Sequence, residues 1–197
     1  SIDEIDPALG VDIVYVSGKN ETHYKNSIKA LEKGFHLLCE KPLALTLKEG
    51  KEIVSMANDK NLVLGTNHHI RFAESAVKIK EIIDSGDLGE IISVRVSHSV
   101  GLPENLQGWR LNDEVGGGAI LDIGIHNVDL LRFLLGSEVS AVTTMTSNSG
   151  LANKKVSDNS MSVIEFENGV IASTHEGFNT PAAPNRIEIL GTKGSVE

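Results

Sequence analysis

The stretch Phe35-His36-Leu37-Leu38-Cys39-Glu40-Lys41-Pro42 decides the fold class of this sequence. Residues 35–39 form a short apolar run that is typical of a buried strand, and Glu40-Lys41-Pro42 ends it. Lys41 is therefore expected at the carboxyl end of a strand, which in an open α/β sheet is the edge where ligands bind. Pro42 stiffens the turn, because its ring fixes φ and removes a hydrogen-bond donor. Lys41 either donates to a substrate oxygen or is a solvated lysine in an ordinary turn.

The residues around this strand repeat a strand–helix pattern. β-Branched and apolar runs predict two more strands, over residues 11–17 and 62–66. Helices are predicted between the strands, over residues 21–33 and after Thr46 and Glu49, which have the spacing of a capping box. This alternation predicts an α/β domain with a parallel sheet. The G-x-G-x-x-G loop that normally opens a nucleotide-binding α/β domain is missing from the sequence, so we expect only part of such a domain.

The pattern changes near Asn67, where we place the domain boundary. The segments that follow predict a helix, a strand, an irregular stretch and an apolar helix, over residues 72–85, 91–100, 101–118 and 119–135. Further strands are predicted over residues 139–146, 158–166, 170–178 and 186–190. The second half is therefore expected to be an α+β domain, with an open, mainly antiparallel sheet and helices on one face.

Composition excludes several classes of protein. The 197 residues carry a formal net charge of −9, which argues against a nucleic-acid binder that follows phosphates with a basic surface. The single cysteine, Cys39, cannot form an internal disulfide, and its apolar strand predicts a buried thiol. No apolar run is long enough to span a bilayer, so we expect no membrane partner and a cytoplasmic location.

The second chemically informative segment begins with Gly116-Gly117-Gly118 and continues as an apolar helix. Asp122 and His126 are four residues apart, so on a helix they share one face. A carboxylate beside an imidazole fixes the tautomer of the ring and suits proton transfer near neutral pH. The pair is either such an acid/base pair, a hydrogen bond satisfied within the core, or part of a metal site. A metal site is the least specific of these interpretations, because the sequence lacks the cysteines or the H-E-x-x-H motif of typical zinc sites.

Two other polar segments are candidates for binding. Residues 17–23 end a strand and begin a helix, where backbone amides and short side chains suit sugar hydroxyls or phosphate, or simply cap the helix. Trp109 and Arg110 provide either a stacking surface with an anion donor or an aromatic side chain packed under a loop.

Three motifs together resemble the Gfo/Idh/MocA family of nicotinamide-dependent sugar and polyol oxidoreductases. They are Asn20-Glu21-Thr22-His23, then Cys39-Glu40-Lys41-Pro42-Leu43-Ala44, and then Gly116-Gly117-Gly118 with Asp122 and His126. The resemblance implies a partial Rossmann-like dinucleotide-binding domain over residues 1–67. It implies an α+β domain for substrate and oligomerisation over residues 68–197, incomplete at its C-terminus.

The same resemblance implies the parts of the site. Lys41, Asp122 and His126 would be catalytic, around the reacting carbonyl or alcohol of a small sugar or polyol. The cofactor, NAD or NADP, would be lined by Ser17, Gly18, Lys19, Asn20, His23, Glu40, Lys41, Asn67, Trp109 and Arg110. The resemblance also implies a homodimer or homotetramer formed through the open sheet.

The sequence departs from the family pattern at both ends. The glycine loop for the pyrophosphate is missing, and the chain stops where the family continues through further strands, so we expect a truncated chain. Two alternatives to an oxidoreductase therefore stay open. One is a non-catalytic binding or regulatory protein that keeps the fold, and the other is a metal-dependent lyase or hydrolase that uses Asp122, His126 and another histidine.

Overall fold

The computed structural model describes residues 2–5 and 10–197. The chain divides into two units, unit 1 over residues 1–68 and unit 2 over residues 69–197. Each unit has its own sheet and its own hydrophobic core.

Unit 1 is a parallel sheet with helical crossovers. Its elements in chain order are β1 (Ile13–Val16), α1 (His23–Glu32), β2 (His36–Glu40), α2 (Leu47–Asp59) and β3 (Leu64–Asn67). The strands are arranged β1-β2-β3, and both neighbouring pairs are parallel. The predicted alternation of strands and helices is confirmed. A short 3-10 turn, Asn20–Thr22, replaces the first turn of the helix predicted over residues 21–33.

Side-chain alternation explains how unit 1 packs. The core contains Val14 and Val16 of β1 and Leu37 and Cys39 of β2, which all lie on one face of the sheet. They pack with residues of both helices, namely Ala30, Leu31, Ile53 and Ala57. The predicted capping box at the start of α2 is confirmed, because the Glu49 N–H donates to Thr46 Oγ1 at 3.2 Å and the Thr46 N–H donates to Glu49 Oε2 at 3.1 Å.

Unit 2 is a mixed sheet with helices. Its helices are α3 (Glu74–Ser85), α4 (Glu104–Asn112) and α5 (Ile125–Leu135), with a π-helical turn, Ile120–Gly124, directly before α5. Its strands are β4 (Ile91–Ser99), β5 (Val139–Ser147), β6 (Asn159–Phe166), β7 (Ile171–Gly177), β8 (Arg186–Gly191) and β9 (Ser195–Val196). Their order is β5-β6-β7-β4-β8-β9, and every neighbouring pair is antiparallel except β4 and β7.

The core of unit 2 lies on one face of this sheet. Buried strand residues such as Val94, Ile164 and Ile189 pack with Leu131 and Leu134 of α5. The opposite face carries exposed apolar side chains, among them Met145, Met161, Val163 and Ile171. The prediction of an open, mainly antiparallel sheet with helices on one face is confirmed.

Three local expectations for unit 2 are corrected. The predicted irregular stretch 101–118 contains α4, whose few apolar residues and break at Gly108 (φ 21°, ψ −119°) hide its helical pattern. The helix predicted over residues 119–135 begins with a π turn, and the short strand β9 was not expected. Asn168-Gly169 forms the turn of the hairpin between β6 and β7, with Gly169 at φ 86°, as is common for Asn-Gly turns.

Within residues 2–5 and 10–197, no helix combines the length and the apolar character needed to cross a membrane.

Candidate functional site

The carboxyl edge of the unit 1 sheet gathers most of the expected cofactor residues. Ser17 follows β1, Glu40 and Lys41 lie where β2 ends, and Asn67 is the last residue of β3. Because the strands are parallel, their carboxyl ends meet at one edge, which is the edge predicted for Lys41. Lys41 is partly buried, and a cis peptide bond joins it to the buried Pro42.

Glu40 links the ends of all three strands. Its Oε1 accepts a hydrogen bond from the Tyr15 hydroxyl of β1 and another, at 2.7 Å, from Asn67 Nδ2 of β3. Burial alone would raise the pKa of Glu40, but these two donors and the backbone of Lys41 favour the carboxylate and leave the pKa below its ordinary value. The same contact raises the pKa of Tyr15, because its proton is shared with a carboxylate. Glu40 is therefore an anion next to Lys41 in the chain, and it orders the turn that carries the lysine.

His23 joins the two loops on either side of this edge. Its side chain is fully buried, with Nδ1 2.7 Å from the Pro42 carbonyl oxygen and Nε2 3.0 Å from the Gly18 carbonyl oxygen. The sequence placed His23 among the residues that line the cofactor, whereas both of its ring nitrogens face the backbone of the protein.

The loop between β1 and α1 is tight around Gly18. A Cβ atom built on Gly18 would lie 2.5 Å from Thr22 Oγ1, so any side chain at residue 18 would require the Thr22 hydroxyl to move. Thr22 holds the loop through two bonds to the Lys19 carbonyl oxygen, from its N–H at 2.8 Å and from its hydroxyl at 2.7 Å. Asn20 is buried, while Ser17, Gly18 and Lys19 are exposed.

These residues fit part of a dinucleotide. The exposed loop presents mainly backbone and short side chains, and a glycine there lets a ligand approach the main chain closely. The loop lies at the carboxyl edge of parallel strands, which is where α/β sheets bind nucleotides. The loop thus has the backbone groups and short side chains that suit sugar hydroxyls or phosphate, whereas a glycine-rich loop for the pyrophosphate is absent from the 197 residues.

Unit 2 holds the other predicted catalytic residues. Asp122 lies in the π turn, a feature that is frequent at functional sites, and His126 is buried in the first turn of α5. Asp122 Oδ2 accepts a hydrogen bond from Arg110 Nε at 2.8 Å, and the Arg110 guanidinium stacks 4.5 Å from the centre of the Trp109 ring. Trp109 and Arg110, which the sequence assigned to the cofactor, thus adjoin the predicted catalytic carboxylate.

The glycine triplet brings α4 against the π turn. A Cβ on Gly117 would lie 2.5 Å from the Asp113 carbonyl oxygen and 2.9 Å from that of Trp109, so only glycine fits. The Gly118 N–H donates to the Arg110 carbonyl oxygen at 2.9 Å, and φ of Gly118 is 92°. The glycines thereby set the distance at which Arg110 reaches Asp122.

Two more histidines lie around His126. The ring of His69 meets it edge-on, with centroids 5.1 Å apart, and the centroid of His98 of β4 is 6.4 Å away. His69 belongs to a 3-10 turn, His69–Phe72, which Arg71 fixes to α5. Arg71 donates to the buried Asp129 carboxylate through Nε at 2.6 Å and through Nη2 at 2.5 Å.

Several of these partners were not found from the sequence. Tyr15 and His98 lie on strands, and only the strand register shows which side chains they meet. Arg71 is 58 residues from Asp129, so no local spacing signals their ion pair. The prediction that Cys39 is a buried thiol is confirmed. Burial raises the pKa of Cys39 to about 11, which disfavours a reactive thiolate.

The alternative of a metal-dependent lyase or hydrolase requires a group of side chains that can bind a metal ion. Across residues 2–5 and 10–197, no cluster of three or more histidine, cysteine, aspartate or glutamate side chains has an arrangement that could hold a metal ion.

Two family models match the chain. The GFO/IDH/MocA C-terminal domain matches residues 76–197, and the model described as "Oxidoreductase family, NAD-binding Rossmann fold" matches residues 1–68. The chain belongs to the GFO/IDH/MocA family. The resemblance carried by the E-K-P motif and the glycine-led helix is thereby confirmed.

Known members of the GFO/IDH/MocA family match over nearly the whole chain. The 1,5-anhydro-D-fructose reductase of Ensifer adhaerens is 42% identical over 197 residues, which are 100% of this chain and 59% of the reductase. Crystal structures of GenD2 from gentamicin A biosynthesis in complex with NAD and of Lactobacillus plantarum myo-inositol 2-dehydrogenase both superpose with a TM-score of 0.85. They are 29% and 26% identical, and the matches cover 98% and 99% of this chain and 56% and 58% of theirs. The chain thus spans less than two thirds of each of these relatives.

Proposed function

We propose that the protein carrying this chain is an NAD- or NADP-dependent oxidoreductase that acts on a CH–OH group of a sugar, keto-sugar or polyol. The observation that carries the proposal is the 42% identity to 1,5-anhydro-D-fructose reductase, together with an E-K-P turn at the carboxyl edge of a parallel sheet. One solved relative is a myo-inositol 2-dehydrogenase and the other was crystallised with NAD, which supports the same class of substrate and cofactor.

The nicotinamide, when bound, accepts or supplies the hydride. The protein binds and orients the cofactor and the substrate, and it moves the proton. In unit 1, residues 17–20 would hold the cofactor through backbone and short side chains, with Glu40 and Asn67 fixing the end of the sheet. Lys41 would donate to the substrate oxygen and stabilise the charge that develops on it. The rigid turn supports this role, because Glu40 on one side and the buried Pro42 on the other restrict the lysine backbone.

In unit 2, His126 would transfer the hydroxyl proton and Asp122 would orient it. The π turn supports this assignment, since it presents Asp122 one turn before His126, which lies at the start of α5. Arg110 donates a hydrogen bond to Asp122, and its guanidinium stacks on the Trp109 ring. Whether Lys41 or His126 is the final acid/base is decided by the kinetics of the two variants.

The test is a nicotinamide absorbance assay on the protein as its gene encodes it. Keto-sugars and polyols are offered with NAD and NADP in parallel, in both directions. We expect turnover with at least one cyclic sugar or polyol, and Lys41→Met is expected to lower it at least ~100-fold. No turnover with any substrate, together with tight nicotinamide binding, would favour the non-catalytic alternative.

The outer face of the unit 2 sheet is proposed as the contact between subunits of a homodimer or homotetramer. Met145 is 79% exposed and Met161 60% exposed, side by side on β5 and β6, which is unusual for large apolar side chains that face only water. Sedimentation of the protein, compared with a Met161→Glu variant, tests this proposal. A monomeric wild type would contradict it. The cytoplasmic location stays a prediction.

A further inference from the structure

His23 is a buried polar residue whose contacts point to a role that the proposed function does not include. It is the first residue of α1 and none of its side chain is exposed. Nδ1 lies 2.7 Å from the carbonyl oxygen of Pro42, and Nε2 lies 3.0 Å from the carbonyl oxygen of Gly18. The ring therefore spans from the turn that carries Lys41 to the loop that follows β1.

Both partners of His23 are acceptors. A backbone carbonyl oxygen has no proton to donate, so each contact is a hydrogen bond only if the ring nitrogen carries a proton. A neutral imidazole has one such nitrogen, and its other lone pair would face a carbonyl lone pair inside the protein.

His36 provides an internal contrast in the same unit. It lies on β2, a few residues from the E-K-P turn, and its Nδ1 accepts a hydrogen bond from the Val63 N–H at 3.0 Å. That nitrogen must be unprotonated to accept. The two histidines of one small sheet are therefore expected in different forms.

We infer that His23 is a positioning residue that, as an imidazolium with two donors, fixes the Lys41 turn to the loop after β1. This inference rests on the proposed function of Lys41. The flanking groups leave little freedom, because Pro42 is buried and Gly18 packs closely against the Thr22 hydroxyl. Loss of the His23 ring would release the carbonyl group of Pro42, which follows Lys41 in the chain. The lysine would then no longer be held in one position.

The first experiment determines the protonation of the rings in the unmodified protein. Long-range ¹H–¹⁵N correlation NMR at neutral pH distinguishes protonated from unprotonated ring nitrogens. Two protonated nitrogens are expected for His23, and an unprotonated Nδ1 for His36. A neutral His23 ring would overturn the inference that both ring nitrogens donate to carbonyl oxygens, whatever the activity of the protein.

The second experiment tests whether His23 acts through Lys41. His23→Phe keeps a flat ring without donors and is expected to lower kcat about 10- to 100-fold, the scale for a reacting group displaced by about 1 Å. His36→Phe, the matched control on β2, removes one hydrogen bond outside the turn and is expected to leave kcat unchanged. In a Lys41→Met background, His23→Phe should have no further effect on kcat, because the group it positions is gone.

The possible results separate the inference from the proposed function. Equal losses in His23→Phe and His36→Phe, or independent effects of His23→Phe and Lys41→Met, would show a general structural role and overturn the inference. Unchanged turnover in Lys41→Met would overturn the catalytic assignment of the lysine and with it the positioning role. In that case the NMR result still decides whether His23 holds both carbonyls.

Discussion

Replacing Asp158 by asparagine tests how the glycine-led helix is supported. Asp158 is fully buried, and its carboxylate accepts three backbone hydrogen bonds, from the N–H groups of Ser149 at 2.6 Å, Leu151 at 3.0 Å and Ala152 at 3.1 Å. The loop held in this way continues to Ser157, whose carbonyl oxygen accepts the Ala119 N–H at 2.9 Å. The carboxylate therefore anchors the segment that precedes Asp122 and His126.

The expected loss follows from the donors. An asparagine oxygen can replace Oδ2 and keep the bonds from Leu151 and Ala152, but its NH₂ group then faces the Ser149 N–H. One bond to a charged acceptor is lost, worth about 1.5–3 kcal/mol, and the two that remain weaken to neutral bonds. We expect Asp158→Asn to lower the free energy of unfolding by about 3 kcal/mol, which corresponds to about 6–12 °C in Tm for a chain of this size.

The effect is also expected to depend on pH. Burial alone would raise the pKa of Asp158, but the three backbone donors outweigh it and lower the pKa below its ordinary value. A depressed folded-state pKa stabilises the protein above the unfolded-state pKa of about 4, and the stabilisation is lost as pH falls through the folded-state pKa. The difference between wild type and Asp158→Asn should therefore narrow below about pH 4.

Calorimetric unfolding from neutral to acidic pH is the measurement. Asp84→Asn is the matched control, because Asp84 pairs only with Lys80 on the exposed surface of α3, and such a pair contributes about 0.5 kcal/mol or less. If Asp158→Asn and Asp84→Asn destabilised the protein equally at neutral pH, the argument from three buried donors would be wrong.

Three further substitutions have defined outcomes. Arg71→Met removes both donors to a buried carboxylate and should destabilise unit 2 by about 3–5 kcal/mol in chemical denaturation, with partial recovery in Arg71→Lys. Gly18→Ala should raise KM for the nicotinamide about tenfold or more, because its Cβ would lie 2.5 Å from Thr22 Oγ1; adding Thr22→Ala should restore KM. Tyr15→Phe removes a donor to Glu40 and should raise the pKa of that carboxyl in a ¹³C NMR titration; an unchanged pKa would contradict the network.

Much of the fold could be predicted because local signals agreed with the tertiary structure. The apolar run at residues 35–39, the Thr46–Glu49 box and the Asn168-Gly169 turn each encode a structure within a few residues. The features that the sequence did not predict depend on a break in the local pattern or on contacts between distant segments. The helix α4 is interrupted by Gly108, which removes the 3.6-residue pattern, and the parallel pairing of β4 with β7 depends on chain segments about 80 residues apart.

The candidate site likewise combines residues that local motifs predict with neighbours that only the tertiary structure identifies. Lys41, Asp122 and His126 were predicted from short, specific motifs, and their catalytic roles stay predictions. The roles of their neighbours depend on contacts across the sheet, as with Tyr15 on Glu40, or on a buried ring, as with His23. The family resemblance implied that His23 lines the cofactor, and only the structure shows that the ring is buried and that its nitrogens meet carbonyl oxygens.

The most direct test of the account is steady-state turnover of Lys41→Met and His126→Asn, measured on the protein as its gene encodes it. Each single change is expected to lower kcat at least ~100-fold, because Lys41 is proposed to stabilise charge on the substrate oxygen and His126 to transfer a proton. Turnover that survives the loss of Lys41 would contradict the proposed function.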